Sequence, residues 1–95
     1  MDEVLKLLGL VYRAKKMEFG EEVLNNIRDI KLIFLASDLS SSSKQRFLKK
    51  CDYYNIPHID IYNSDELANS VGKKLVKVIG IKDEGFKKTL LSKMK

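Results

Sequence analysis

What the sequence lacks narrows its chemistry first. The single cysteine, Cys51, cannot form an internal disulfide, and one histidine, His58, leaves no second imidazole for a histidine-built metal site or a His-paired nucleophile. Neither Gly-x-Gly-x-x-Gly nor a glycine-rich Lys-Ser/Thr phosphate loop occurs. No apolar run approaches the roughly 20 residues that a bilayer crossing needs, so no membrane partner is expected. The start, Met1-Asp2-Glu3, carries acids where a secretory signal carries Lys or Arg, and with the lone cysteine it points to the cytoplasm. No internal repeat or linker interrupts the chain, and its 95 residues bound a single domain, 1–95.

What is present is a regularly spaced 44% of hydrophobic residues and an uneven charge. The net charge is +5. Residues 71–95 hold eight lysines against Asp83 and Glu84, whereas residues 1–70 hold ten bases against eleven acids. A solvated lysine surface would account for this, but a polyanion met partly by the C-terminal quarter is the natural partner.

The most informative stretch is Lys31-Leu32-Ile33-Phe34-Leu35-Ala36-Ser37-Asp38, an apolar run that stops at a polar end. It reads as a buried central strand, with ligand chemistry beyond its carboxyl end. Before it, Val4, Leu5, Leu7, Leu8, Val11 and Tyr12 recur at helical spacing behind Asp2 and Glu3. Arg13-Ala14-Lys15-Lys16 closes that helix, Met17 and Glu18 leave room for an edge strand, and Gly20 starts a short second helix over Glu21, Glu22 and Val23. After the central strand, Asp38 or any of the serines at 40–43 can cap a third helix with a buried stripe of Phe47, Leu48, Cys51 and Tyr54. Asn55-Ile56-Pro57 breaks it. Residues 58–62 alternate as a strand with Ile59 and Ile61 on one face, a fourth helix runs from Asn63 to a stop at Gly72, residues 75–81 form the last strand, and Asp83-Glu84 start a fifth helix. Strands alternating with helices predict an α/β fold: a three-layer α/β/α sandwich around a mainly parallel or mixed four-stranded sheet.

The ordered residues Leu7-Leu8-Gly9-Leu10, Arg13-Ala14-Lys15-Lys16, Gly20-Glu21-Glu22, Ser37-Asp38 and Lys50-Cys51-Asp52-Tyr53-Tyr54-Asn55-Ile56-Pro57 resemble the kink-turn RNA-binding ribosomal-protein superfamily. Ser64-Asp65-Glu66-Leu67, Val71-Gly72-Lys73 and Asp83-Glu84-Gly85-Phe86 narrow the likeness to its small bacterial YlxQ-like branch, relatives of archaeal ribosomal protein L-seven-Ae. The resemblance implies a non-enzymatic, cofactor-free protein that binds kinked structured RNA, ribosomal or ribonuclease RNA among the possibilities, as a monomer. It assigns the opening glycine of the reading helix to Gly20, with Glu21 and Glu22 following. The family's lysine, six positions on, falls on Asn26, or on Asn25 if the helix is shorter. It assigns a second contact to Gly72, Lys73, Lys74 and Leu75, and a polar segment beside the same groove to Ala36, Ser37 and Asp38. Lys16, Lys31 and Lys77 are expected to frame the rim with Lys73 and Lys74. Two other readings stand beside this one. One is a small phosphate- or nucleotide-binding enzyme built on the serines at 40–43 and Asp38. The other is a ribonucleoprotein interaction module with weak unspecific RNA binding, presenting Tyr53, Tyr54 and Tyr62.

Overall fold

The computed structural model describes residues 2–94, so Met1, first of the acidic start, and Lys95, last of the C-terminal lysines, lie outside them. In chain order the elements are α1 (Glu3–Arg13), β1 (Met17–Phe19), α2 (Glu21–Asn25), a 3-10 turn (Ile27–Asp29), β2 (Leu32–Leu35), α3 (Ser41–Tyr54), β3 (His58–Ile59), α4 (Ser64–Val71), β4 (Val78–Ile81) and α5 (Glu84–Lys93). The alternation matches the sequence expectation, with the 3-10 turn as an addition. The sheet is mixed, in the order β1-β4-β2-β3. Only β2 and β3 run parallel; β4 is antiparallel to both β1 and β2. Of the two arrangements expected, mainly parallel or mixed, the sheet takes the mixed one.

β2 is central because both its faces are covered. Leu32, Phe34 and Ala36 turn toward Leu8, Val11, Leu67 and Leu90 of α1, α4 and α5. Ile33 and Leu35 turn the other way, onto Val23, Ile27, Ile30, Phe47 and Cys51. The result is an α/β/α sandwich. All four β2 side chains are buried, a gross gain on the order of 1.5–3 kcal/mol each before chain entropy opposes it.

Caps set the helix ends. The Asp2 carboxylate accepts from Val4 N at 2.7 Å, Ser40 Oγ from Ser43 N at 3.4 Å and Asp83 from Phe86 N at 2.8 Å. Asn63 and Glu66 form a reciprocal capping box on α4. Two strands are shorter than the alternation suggests. The chain leaves the sheet after Ile59, so Ile61 is exposed while Tyr62 turns inward, where its hydroxyl donates to Asp2 Oδ2 at 2.8 Å. β4 begins only at Val78, which leaves Leu75, 70% exposed, in the preceding loop.

Candidate nucleic-acid interface

The strand register decides which candidate residues meet. β1, β2 and β3 all end at the edge where antiparallel β4 begins, since Phe19 pairs with Ile79 and Leu35 with Val78. Backbone bonds continue past the strands. Gly20 N donates to Val78 O at 3.2 Å, Ala36 N to Lys77 O at 2.8 Å and Ser37 N to Tyr62 O at 2.8 Å. The α4–β4 loop joins the same edge: Lys73 Nζ stands 4.9 Å over the Phe19 ring and 5.5 Å over that of Tyr12. Gly20, Glu21, Glu22, Ala36, Ser37, Asp38, Gly72, Lys73, Lys74 and Leu75 are thus brought to one rim.

Gly20 makes the sharp exit from β1 into α2. Its φ of 55° with ψ −131° is a backbone state that suits glycine. Both carboxylates after it are engaged, differently. Glu21 takes both its oxygens to the Arg46 guanidinium of α3. Glu22 stays exposed, and the side-chain amides of Asn25 and Asn26 donate to it at 3.3 and 3.5 Å. Asn26 also donates to Glu18 at 3.4 Å, and Glu18 receives Lys82 Nζ at 3.1 Å. The amides hold the Glu22 carboxylate in place without cancelling its charge.

Asp38 does not cap α3; Ser40 does. Its carboxylate crosses to the start of α4, accepting Ser64 Oγ at 2.6 Å and Ser64 N at 2.8 Å, with Lys77 Nζ at 3.6 Å. The Ser64 hydroxyl, then its amide, and Lys77 hold the Asp38 carboxyl down at about 2. Asp38 is thus a brace between two loops of the rim.

Lys16 and Lys31 do not frame this rim. Lys82 N donates to Lys16 O at 2.8 Å and Lys31 N to Ile81 O at 2.7 Å, which puts both at the end of β4. They precede β1 and β2, whereas the rim follows those strands, so they occupy the opposite edge of the sheet. Tyr62, offered as an interface residue, is buried instead. Ser40 Oγ accepts from Ser43 N and the Asp38 carboxylate from Ser64, so two of the groups on which the phosphate-enzyme reading was built already serve the fold. Cys51 is buried and burial pushes its thiol up to about 11. Among the described residues, no three or more His, Cys, Asp and Glu side chains come together to hold a metal ion, and no helix is long and apolar enough to cross a membrane.

Three contributors to the rim escaped the sequence reading. Tyr12 fits the buried stripe of α1 by spacing yet is 36% exposed, stacked edge-on against Phe19 at 5.6 Å, and both rings support Lys73. Arg46 carried no signal beyond its place on an exposed basic face.

The chain belongs to the family of ribosomal proteins L7Ae, L30e and S12e and of Gadd45, whose pattern matches residues 2–91. Within it, the likeness is to the YlxQ-like branch. The RNA-binding protein YlxQ of Bacillus subtilis (strain 168) is 37% identical over 93 residues, spanning 95% of this chain and 93% of that protein. The protein of the same name from Enterococcus faecium is 36% identical over 89 residues, 90% and 85% of the two chains. A Bacillus halodurans protein of unknown function superposes with a TM-score of 0.90 at 35% identity, over 99% and 98% of the two chains. The Giardia lamblia 15.5kD RNA binding protein shares the fold, with a TM-score of 0.79 at 15% identity over 96% and 81%.

Proposed function

We propose that this protein binds structured RNA at the rim where β1, β2 and β3 end, as a cytoplasmic monomer that needs no cofactor and catalyses no reaction. The partner is a kinked RNA with G·A pairs, of ribosomal or ribonuclease type. The observation that carries the reading is the meeting of two unlike surfaces. Gly20 and Glu22 present a fixed acceptor, and Lys73, Lys74 and Leu75 present positive charge beside an exposed apolar side chain, joined through Lys73 over Phe19. Relatives that share more than a third of the residues are named RNA-binding proteins.

Each surface has a separate task. A carboxylate accepts hydrogen bonds from guanine N1 and N2 donors that a kink exposes, so Glu22 reads bases. The lysines meet phosphates and supply attraction without sequence information. Leu75 offers an apolar face to an extruded nucleotide. With Asn25 or Asn26 in place of the family's lysine, attraction rests on Lys73 and Lys74 while discrimination rests on residues 20–22.

The two tasks separate in a filter-binding titration against a kink-turn RNA and a version whose G·A pairs are made Watson–Crick. Lys73→Ala with Lys74→Ala weakens both RNAs alike and lowers the salt slope by about one to two. Glu22→Ala weakens the kinked RNA by about 1–3 kcal/mol and leaves the control unchanged or slightly tighter. Equal binding of the two RNAs by the wild-type protein would refute the reading.

A further inference from the structure

The edge of the sheet opposite that rim carries a groove of about 530 Å³ between the 3-10 turn, the end of α3 and α5. This is within the roughly 300–1,000 Å³ of ligand sites. Tyr53, in its lining, is 79% exposed, and Tyr54 meets it edge-on at 4.8 Å. A lone surface tyrosine needs no explanation. This one shares the groove with Arg28 and Lys31, neither of which forms an ion pair among the described residues. The groove's one carboxylate, Glu84, is already matched by Lys87 at 3.0 Å. The lining therefore keeps two cations outside any ion pair beside an open aromatic ring. Lys49 and Lys50 extend the charge one turn back along the exposed side of α3.

We propose that this groove is a second RNA-contacting site, which takes two or three unpaired nucleotides. One base stacks on Tyr53, and its flanking phosphates lie on Arg28 and Lys31. Stacking on an exposed ring tolerates any base, and phosphates are drawn to cations that have no partner within the protein. An acidic peptide would use the cations but leave the ring idle. The site lies across a molecule only 30 × 25 × 25 Å, so one chain holds two RNA segments on opposite edges. The inference does not depend on G·A readout at the other rim.

The test is fluorescence anisotropy with a labelled uridine hexamer at about 50 mM salt, in the wild-type protein and in the Lys73→Ala, Lys74→Ala background that weakens the first rim. In that background the hexamer still binds. Adding Tyr53→Ala there weakens it about five- to 150-fold, whereas Tyr53→Phe keeps the ring and stays within about twofold. Arg28→Ala with Lys31→Ala lowers the salt slope by about 1.4, near 0.7 for each single-strand phosphate contact. Circular dichroism checks that these exposed-site variants remain folded. No hexamer binding in that background, indifference to Tyr53→Ala, or tighter binding of labelled hexaglutamate than of the hexamer overturns the proposal. Loss of discrimination between kinked and control RNA, with the Tyr53 dependence intact, would sink the first reading and leave this one standing.

Discussion

Gly20→Ala isolates one physical cause. At φ 55° and ψ −131° an L-residue's own backbone crowds its Cβ, which costs about 1–3 kcal/mol. A Cβ built at Gly20 meets nothing within 4 Å, so neighbouring side chains add nothing to that cost. Alanine also stiffens the unfolded chain, which returns about 0.4–1 kcal/mol. Strain wins by on the order of 1–1.5 kcal/mol, and a chain of this size loses about 4–8 °C in melting temperature for each kcal/mol. Thermal and urea unfolding followed by circular dichroism should show a melting point about 5–10 °C lower, with the urea slope unchanged because no new surface is exposed. The same residue carries a functional consequence. Gly20 N bonds Val78 O at 3.2 Å and Gly20 O receives Val23 N at 3.1 Å, so relaxing its backbone re-aims α2 and Glu22. Affinity for the kinked RNA should fall more than affinity for the Watson–Crick control. A variant that melts at or above the wild-type temperature would show that the turn stores no strain, and would remove the physical reason for a glycine at the start of α2.

Gly9→Ala probes the contact between α1 and α4: its Cβ would lie 2.8 Å from the Ser70 carbonyl oxygen, a backbone atom that cannot rotate away. Better helix propensity returns about 1 kcal/mol, but separating the helices costs about 1–3, so urea unfolding should report a net loss near 1 kcal/mol; a gain would mean the helices part freely. Asp38 titrates lower in the folded state, at about 2 against 3.8, so its contribution is whole above about pH 4 and is lost as pH falls toward 2. Ser64→Ala removes the largest cause, so its melting temperature should fall less than that of the wild type between pH 4 and 2; parallel acid limbs would refute the assignment. Burial raises the Cys51 thiol to about 11, so Ellman's reagent at pH 8 should label it only as fast as the protein opens, and rapid labelling of the native state would refute that burial.

The fold was legible where one cause dominated. The run from Leu32 to Ala36 is apolar on both faces, and only a sheet covered on both sides buries it, so the central layer followed from burial alone. Asn63 with Glu66 and the glycine at 72 marked α4 at both ends, because caps are local chemistry. The errors fell where a long-range partner overrode a local pattern. Alternation through Ile61 suggested a longer strand, but Tyr62 is drawn inward by Asp2, sixty residues away. Tyr12 reads as core by spacing, yet the loop carrying Lys73 needs its ring at the surface. Lys16 and Lys31 looked equivalent to Lys77 because charge alone does not reveal strand direction. The antiparallel pairing of β4 with β1 and β2 sent them to the other edge.

That sorting of lysines bears on how a small basic protein can discriminate. If every lysine faced one rim, attraction would scale with RNA charge and swamp the few contacts that read bases, since phosphate contacts carry no sequence information. Here the Gly20–Glu22 side of the rim is acidic: Glu21 is tied to Arg46, and Glu22 is held by two amides rather than by a cation. An amide orients a carboxylate while leaving its charge to oppose phosphate, whereas a lysine at position 26 would cancel part of it. A polyanion without suitable donors therefore meets repulsion at Glu22 and attraction at Lys73 and Lys74. On the proposed reading, an RNA that offers guanine N–H groups to the carboxylate would convert that repulsion into hydrogen bonds, a repulsive element used for specificity. On the same reading, an asparagine at 25 or 26 in place of a lysine would lower the affinity available to every RNA and raise the share of it that depends on geometry.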